Sequence, residues 1–451
     1  MCNRNYYFVV SLLLYINTAS SAEYEFTPQL SLSAVYLDNL YLAHGENKTN
    51  DIIYEASPQV ELTAKGKRLG FDLSYKLQAL KYDKSDEDAV YQQLSGKSNV
   101  ELIENNMFID AEVSRRQENL SSNQPVSSNN YTVTNNRSDV TTYAITPTIQ
   151  GRMGDNIEVF ASRKYSGVEY EDAGIQKQDK EETKSYIRTT ILGGDLHLSL
   201  NYFNSYFEAN KLEVTRRTLL VDFTVFPTIK LSLEYGNEYS NRDSELFKKE
   251  SDYKKIGLKW EPNNRSKIDL SYAENIFGIT KSADIMLSSK SKTIGLSYNE
   301  DVNSGVYEQG QQETSKDNFF SSLDTRLYVS EKYKIYAIKR TAKSEFMVSY
   351  SLEEKDYENA NSTEEIDAYQ FKWNWKLSAK TVFNYSFTSS SIYSDNPEFL
   401  NTIKTASYGV SKSLSPSSGM SFNYSKSKQT ISDGNLYVET EMASVSYFKT
   451  F

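Results

Sequence analysis

Histidine and serine are the residues of this chain whose types could support nucleophilic catalysis. The sequence holds 2 His: His44 lies in a polar stretch, and His197 alternates with leucines. Ser199 follows His197 by two residues, so an extended strand would place both side chains on one face. A serine hydrolase needs such a pair within hydrogen-bond reach. Because serine is frequent throughout the chain, we expect this spacing by chance and predict no catalytic residue, no metal site, no cofactor and no enzymatic activity.

Carboxylates and lysines recur on the polar faces of apparent strands, which offers binding chemistry rather than catalysis. If the strands close around water, these charges line a lumen. Mixed signs argue against strong ion selectivity, which needs a ring of one sign. The simplest interpretation is a hydrated lumen with ion pairs, and the alternative is a polar conduit for an anionic or neutral sugar chain. The candidate lumen-facing residues are Asp72, Lys76, Glu101, Asp110, Glu112, Lys230, Glu234, Lys259, Lys372 and Lys376.

The elements that carry these residues are predicted from alternation. Tyr369, Phe371, Trp373 and Trp375, for example, alternate with polar residues, and a period of two predicts a strand with one apolar face. Such runs often exceed the about 5–6 residues of ordinary strands. The mean hydropathy of −0.60 suits a membrane barrel, in which only every second residue faces lipid. We predict an all-β fold, an antiparallel transmembrane β-barrel of about 20 strands (roughly 18–22).

Connections of unequal length support the same fold. Short turns at 66–68 and 227–228 alternate with polar loops such as 38–51 and 119–137, as expected for short periplasmic turns and longer extracellular loops. We expect 119–137 to be a solvated loop, with surface-ligand binding as the alternative. Segment 301–341 is the least regular. By alternation of sides it should lie at the periplasmic rim as a plain connection, with an extra hairpin or a segment inserted into the lumen as alternatives.

The N-terminus predicts export. Residues 6–16 form an apolar core and residues 20–22 a small-residue cleavage site, so 1–22 is expected to be a signal peptide. The core is too short for a membrane helix, which needs about 20 residues. Cys2 is the only cysteine, so the mature chain, 23–451, would form no disulfide and no thiolate metal site.

Charge and aromatic content point to a membrane rather than to nucleic acid. The formal net charge is −10 and aromatic residues make up 13% of the chain. Nucleic-acid binding depends on cationic surfaces, so we expect no nucleic-acid partner. Tyr36, Tyr82, Trp260 and Tyr447 lie toward predicted strand ends, where an interfacial aromatic girdle would be.

The chain ends inside an alternating strand. Val445, Tyr447 and Phe451 share one face, and a terminal Phe in such a strand resembles the assembly signal that the barrel-assembly machinery recognises. Lys449 interrupts the apolar face, which is a departure from that pattern.

The strands near the N-terminus resemble a known family. Residues 26–33 followed by Asp38 and Asn39, the stretch from 55 to 80, and the hairpin 100–116 are similar to the PEP-CTERM-system-associated outer-membrane β-barrel family. The resemblance implies an outer-membrane protein of a Gram-negative bacterium with exosortase-type protein sorting, where such genes often accompany exopolysaccharide production. The family has no established activity, so it supplies no catalytic residues.

Three functions fit these observations. The first is export or surface assembly of exopolysaccharide or sorted proteins. The second is a general diffusion porin or channel, and the third is a structural or adhesive barrel that binds through its external loops. The expected partners are outer-membrane lipid, the barrel-assembly machinery, and exopolysaccharide or its export proteins.

Overall fold

The computed structural model describes most of the chain after residue 22. The described ranges are 23–121, 124–127, 129–171, 177–191, 195–208, 211–244, 248–304, 327–357, 363–395, 398–431 and 436–451. The expected signal peptide, 1–22, lies outside them. Within the described residues, no helix is long and apolar enough to cross a membrane.

The described residues form 22 β-strands, where alternating β-branched and aromatic residues favour extended backbone. Their bounds are β1 Glu23–Leu37, β2 Asp51–Lys65, β3 Leu69–Tyr82, β4 Ala89–Ile103, β5 Met107–Asn119, β6 Arg137–Met153, β7 Ile157–Tyr170, β8 Gln178–Ile191, β9 Leu196–Phe207, β10 Leu212–Phe226, β11 Ile229–Ser240, β12 Glu250–Asn263, β13 Ser266–Asn275, β14 Gly278–Ser288, β15 Lys292–Ser304, β16 Leu327–Arg340, β17 Ser344–Tyr357, β18 Thr363–Lys376, β19 Thr381–Asp395, β20 Glu398–Ser415, β21 Ser418–Ile431 and β22 Leu436–Thr450.

The sheet closes on itself. Each strand pairs antiparallel with its neighbours in sequence, and β1 pairs with β22 from Gln29 opposite Thr450 to Leu37 opposite Met442. Closure leaves no edge strand, which is required because lipid cannot satisfy unpaired backbone groups. The predicted antiparallel barrel is confirmed, and its 22 strands fall within the predicted range.

The wall has one apolar and one polar face. On β11, Leu231 and Leu233 are exposed on the outer face, while Lys230 and Glu234 alternate with them and point inward. Large apolar side chains stay exposed around the barrel because their solvent is lipid.

Of the expected girdle residues, Tyr36, Trp260 and Tyr447 lie on this outer face. The expectation for Tyr82 was wrong. It is 3% exposed and packs inward with Leu80, because its parity in β3 is opposite to that of the lipid-facing residues.

The two rims of the barrel differ. The turn rim carries short connections such as 66–68, 104–106 and 227–228, together with the start of β1 and the end of β22. The loop rim, opposite to it, carries long connections such as 38–50 and 120–136. In outer-membrane barrels the short turns face the periplasm, so the turn rim is the periplasmic rim.

The expectation for segment 301–341 was wrong in two respects. Strands β15 and β16 pair without interruption from Lys292 opposite Lys339 to Ser304 opposite Leu327, so residues 301–304 and 327–340 of the segment are regular wall. The strand ends at Ser304 and Leu327 lie at the loop rim, because β15 runs in the same direction as β1. The ends of these two strands extend beyond the apolar belt and are polar, so the alternation of apolar residues does not reveal them. Residues 305–326 lie outside the described residues.

Candidate functional site

The structure places all the candidate lumen residues on the inner face of the wall. Lys97 lies opposite both Asp72 and Glu112, and Lys259 lies opposite both Lys230 and Asp269. The candidates do not converge on one centre, because β3, β4, β5, β11, β12 and β18 carry them. The inward members are Asp72, Lys76, Glu101, Asp110, Glu112, Lys230, Glu234, Lys259, Lys372 and Lys376.

Local ion pairs and hydrogen bonds engage several of these charges. Lys76 Nζ lies 3.5 Å from Glu55 Oε1, and Lys259 Nζ lies 2.9 Å from Glu261 Oε1. Thr218 donates a hydrogen bond to Glu234. Such mixed pairs make a hydrated wall with no ring of one sign, so this part of the lumen gives little basis for ion selectivity.

An uncharged sector occupies another part of the inner wall. It comprises the inner faces of 382–392, 401–413, 419–431 and 438–450, and continues across the closure seam onto 27–37. We call this surface the neutral sector. It carries no charged inward side chain among the described residues. Its hydroxyl and amide side chains include Ser31, Ser33, Asn384, Ser386, Thr388, Thr405, Ser407, Ser411, Ser421, Asn423, Ser425, Ser427, Thr440, Ser444 and Ser446.

Short hydrogen bonds link the neutral sector across strands. Ser33 Oγ donates to Ser446 Oγ at 2.9 Å across the seam, and the hydroxyls of Thr405 and Ser427 lie 3.1 Å apart. Hydroxyl and amide groups both donate and accept hydrogen bonds, so the surface matches a ligand rich in hydroxyls without selecting for charge.

The connection between β5 and β6, of which the structure describes 120–121, 124–127 and 129–136, reaches into the lumen. We call it the crossing segment. On one wall, Tyr131 Oη donates to Glu55 Oε2 at 2.6 Å, and Tyr82 Oη donates to the Tyr131 carbonyl at 2.8 Å. Asn130 Nδ2 also donates to Gln78 Oε1 at 2.9 Å. These bonds attach the segment to β2 and β3.

The same segment is attached to the distant wall of β18–β21. Val126 is 4% exposed and packs against Ile366, Ile392, Ile403 and Ile431. Its backbone N–H donates to Gln429 Oε1 at 2.9 Å. Because β18–β21 are separated from β5 by six to nine strands in the barrel order, the two attachments together show that the segment reaches across part of the lumen.

Asparagines close the base of the crossing segment. Asn119 Nδ2 donates to the Ser127 carbonyl at 3.0 Å. Asn136 Nδ2 donates to the carbonyls of Ser121 and Pro125 at 2.8 and 3.1 Å. The Asn and Ser content that had predicted a solvated loop instead satisfies the backbone of a folded insertion.

The surroundings of Tyr131 favour the protonated form of its phenol. Burial, and then the neighbouring Glu55 carboxylate, raise the pKa of Tyr131. The phenol therefore stays protonated at neutral pH and donates to the carboxylate. Glu55 also accepts from Ser57 and lies 3.5 Å from Lys76 Nζ, so Tyr131 is one of several partners of the buried carboxylate.

The histidines are not arranged for catalysis. Ser199 Oγ donates to Asn201 Oδ1 at 2.6 Å, while His197 Nδ1 lies 3.1 Å from Thr190 Oγ1. His44 Nδ1 lies 2.8 Å from the backbone nitrogen of Tyr437, so it ties the first loop to β22. Among the described residues, no group of three His, Cys, Asp or Glu side chains is placed to hold a metal ion.

The residues of the expected assembly signal lie at the closure seam. Val445 and Tyr447 lie on the outer face of β22, opposite Ala34 and Leu32. Phe451 is 69% exposed, and its N–H donates to the Pro28 carbonyl at 2.9 Å.

Sequence reasoning missed the crossing segment and the neutral sector. Val126, Tyr131 and Val133 were the available signal for the first, since apolar residues in an Asn- and Ser-rich loop predict contacts. The second joins strands from both ends of the chain, so it becomes visible only once the barrel closes.

Solved structures resemble this fold, although their sequences differ. The siderophore receptor PirA from Acinetobacter baumannii has 7% identity and a TM-score of 0.53, and the match covers 94% of this chain and 80% of that one. A mutant of the ferric enterobactin receptor PfeA from Pseudomonas aeruginosa has 8% identity and a TM-score of 0.52, covering 96% and 81%. Both are receptors by name, and the likeness concerns the fold alone.

The protein is an outer-membrane β-barrel. A loop-deletion mutant of OmpT, an outer membrane protein of Vibrio cholerae, also matches over 96% of this barrel and all of that chain, with 12% identity, but its TM-score of 0.36 carries no argument. No protein-family model and no curated protein matches the sequence.

Proposed function

We propose that this barrel is a gated conduit for a hydroxyl-rich saccharide chain across the outer membrane. The observation that carries the proposal is the neutral sector, an uncharged hydrogen-bonding surface that continues across the β1–β22 seam. Passage requires binding that is weak and repeated along the path. Rows of serine, threonine and asparagine provide such binding for sugar hydroxyls.

The crossing segment supplies the gate in this proposal. Its Val126 end covers the neutral sector on the loop side, through the isoleucines of β18–β21. Barrels of 22 strands are large enough that their lumen is usually plugged. An open lumen of this size would leak small solutes, so a closed resting state suits an exporter.

The resemblance to PEP-CTERM-associated barrels supports exopolysaccharide as the saccharide. In this proposal the barrel serves its export or surface assembly, and exosortase-sorted proteins are the second cargo. The barrel performs no catalytic step, holds no cofactor and binds no nucleic acid. Its partners are outer-membrane lipid, the barrel-assembly machinery and the proteins that deliver the polysaccharide.

Planar-bilayer recordings test the conduit. We expect low basal conductance, and brief current blocks when a neutral oligosaccharide is added to a variant that lacks residues 121–135. Exchanging Asn423, Ser425 and Ser427 for alanine in that variant should shorten the blocks, because sugar hydrogen bonds are lost. The control exchanges Lys230 and Lys259 for glutamine and should leave block durations unchanged.

A general porin is the second candidate, favoured by the mixed ion pairs that line the remaining wall. A steady, open conductance of the wild-type barrel that oligosaccharides do not block would support the porin and refute the gated conduit. Loop deletions that abolish surface binding without changing conductance would instead favour an adhesive barrel.

A further inference from the structure

One arc of the turn rim is basic, although the chain as a whole carries a net charge of −10. The arc extends from the end of β14 to the end of β20. All of its lysines are exposed, and none has a carboxylate partner among the described residues. We call this surface the basic arc, and its members are Lys290, Lys292, Lys339, Lys343, Lys380 and Lys412.

Acidic residues are nearly absent from the same arc. The described turn-side residues of this arc are 288–292, 339–346, 375–382 and 411–420. Glu345 is the single acidic residue among them. Its Oε2 lies 2.6 Å from Arg340 Nε, so it is already engaged. The lysines of the basic arc therefore present an uncompensated positive surface.

The opposite arc of the turn rim shows a different pattern. Lys67 and Arg68 lie 2.9 and 2.8 Å from Glu104, and Arg152 lies 2.9 Å from Glu158. Other turn-side cations, such as Lys65, Lys230 and Arg265, lie outside these pairs. Several turn-side cations thus pair with carboxylates on this arc, whereas on the basic arc Arg340 alone does so among the described residues.

Several lysines of the basic arc point toward lipid rather than into the lumen. Lys292 lies opposite Lys339, and Lys339 lies opposite Phe346, all on the outer face. Lys412 shares the outer face with Met420. Lysine stems can lie along an apolar wall while their ammonium groups reach the headgroup level.

An aromatic cluster lies next to these lysines on the outer wall. The rings of Phe346 and Trp373 stack at 5.7 Å, and those of Trp373 and Trp375 stack at 5.5 Å. Phe383 meets Trp373 edge-on at 5.5 Å. Tryptophan prefers the membrane interface, so this cluster marks the level of the periplasmic headgroups just above the lysines.

We propose that the outer face of β15–β20 at the turn rim binds anionic phospholipid headgroups of the periplasmic leaflet. Phosphate groups neutralise the lysines while acyl chains cover the aromatic cluster. An acidic periplasmic protein fits less well, because Lys292, Lys339 and Lys412 lie on the lipid-facing wall. The inference does not depend on what passes through the lumen.

The tryptophans allow a site-specific test. The chain has 3 Trp, and Trp260→Phe leaves both reporters, Trp373 and Trp375, beside the basic arc. This variant is refolded into phosphatidylcholine vesicles that contain dibrominated phosphatidylglycerol or dibrominated phosphatidylcholine. Quenching should show that the anionic lipid is enriched about five-fold near the reporters. This is the enrichment expected from the attraction between one lysine and an anionic membrane surface. High salt should abolish the enrichment.

Two controls keep the result interpretable. Trp373→Phe with Trp375→Phe leaves Trp260 on the outer face of β12, outside the basic arc, and this reporter should show no anionic enrichment. The second control combines Trp260→Phe with the exchanges Lys292→Gln, Lys339→Gln and Lys412→Gln. In this variant the enrichment of the anionic lipid should fall close to one. Its heat-modifiable gel band verifies that the barrel is folded.

Three results would overturn the proposal. Equal quenching by both lipids next to Trp373 and Trp375 would exclude a preference for anionic headgroups and leave the arc as a surface for an acidic protein. Enrichment that survives the lysine exchanges would remove the assigned cause. Equal enrichment at Trp260 would mean that the preference is general rather than local.

Discussion

Removal of one hydroxyl should open the gate. Tyr131→Phe deletes the 2.6 Å hydrogen bond to Glu55 and leaves the ring to pack against the cluster of Ile53, Leu80 and Tyr82. A hydrogen bond to a charged group contributes roughly 1.5–3 kcal/mol. Taking about 2 kcal/mol, the ratio of open to closed barrels should rise about 30-fold.

The magnitude is supported by the burial of the partner. The Glu55 side chain is 4% exposed, so the carboxylate in the variant keeps Ser57 and the more distant Lys76 as partners. Val126→Ala should act at the other attachment. It removes two methyl groups, at a cost of roughly 1.6 kcal/mol from transfer alone.

Single-channel recording gives the open probability directly. Tyr437→Phe is a matched control, because it removes a 2.5 Å hydrogen bond from a tyrosine to Glu439 outside the crossing segment. The open probability should rise in Tyr131→Phe and stay at the wild-type value in Tyr437→Phe. An unchanged open probability in Tyr131→Phe, with the barrel folded, would refute the attachment of the segment as the gate.

Two further predictions concern folding. Gly236→Ala would place a Cβ 1.9 Å from the Arg217 carbonyl oxygen, whereas a Cβ at Gly70 meets nothing within 4 Å. In a heat-modifiability gel, the Gly236→Ala barrel should therefore unfold at a lower temperature than the Gly70→Ala barrel. Equal unfolding temperatures of the two variants would contradict this. Deleting Phe451 removes the hydrogen bond to Pro28 and the exposed terminal ring, so assembly by the barrel-assembly machinery should slow in a reconstituted assay. An unchanged assembly rate would mean that Val445 and Tyr447 suffice as the signal.

Alternation predicted the wall of the barrel because it reports a local property. Lys230 and Leu231 face opposite sides whatever the rest of the chain does. The same rule also accounts for the error at Tyr82, which followed the parity of β3 inward rather than its position near a strand end. The strand count was less certain, since polar residues at the ends of β15 and β16 hide where each strand stops.

The candidate site could be predicted less well because it depends on closure. Ser33 and Ser446 stand at opposite ends of the sequence, and only the β1–β22 pairing brings them together. The crossing segment also depends on contacts between residues far apart in the sequence, such as Val126 with Gln429. Local composition therefore predicted a solvated loop, while the distant wall determines where the segment lies.

A reversible covalent lock tests the central claim most directly. Val126 of the crossing segment and Ile403 of the β20 wall belong to one buried cluster, and the chain has a single cysteine, Cys2, within the expected signal peptide. The double variant Val126→Cys with Ile403→Cys, in liposomes loaded with a neutral oligosaccharide, should retain the sugar when oxidised and release it after reduction. Equal release in both states would contradict the claim that the crossing segment gates a saccharide conduit.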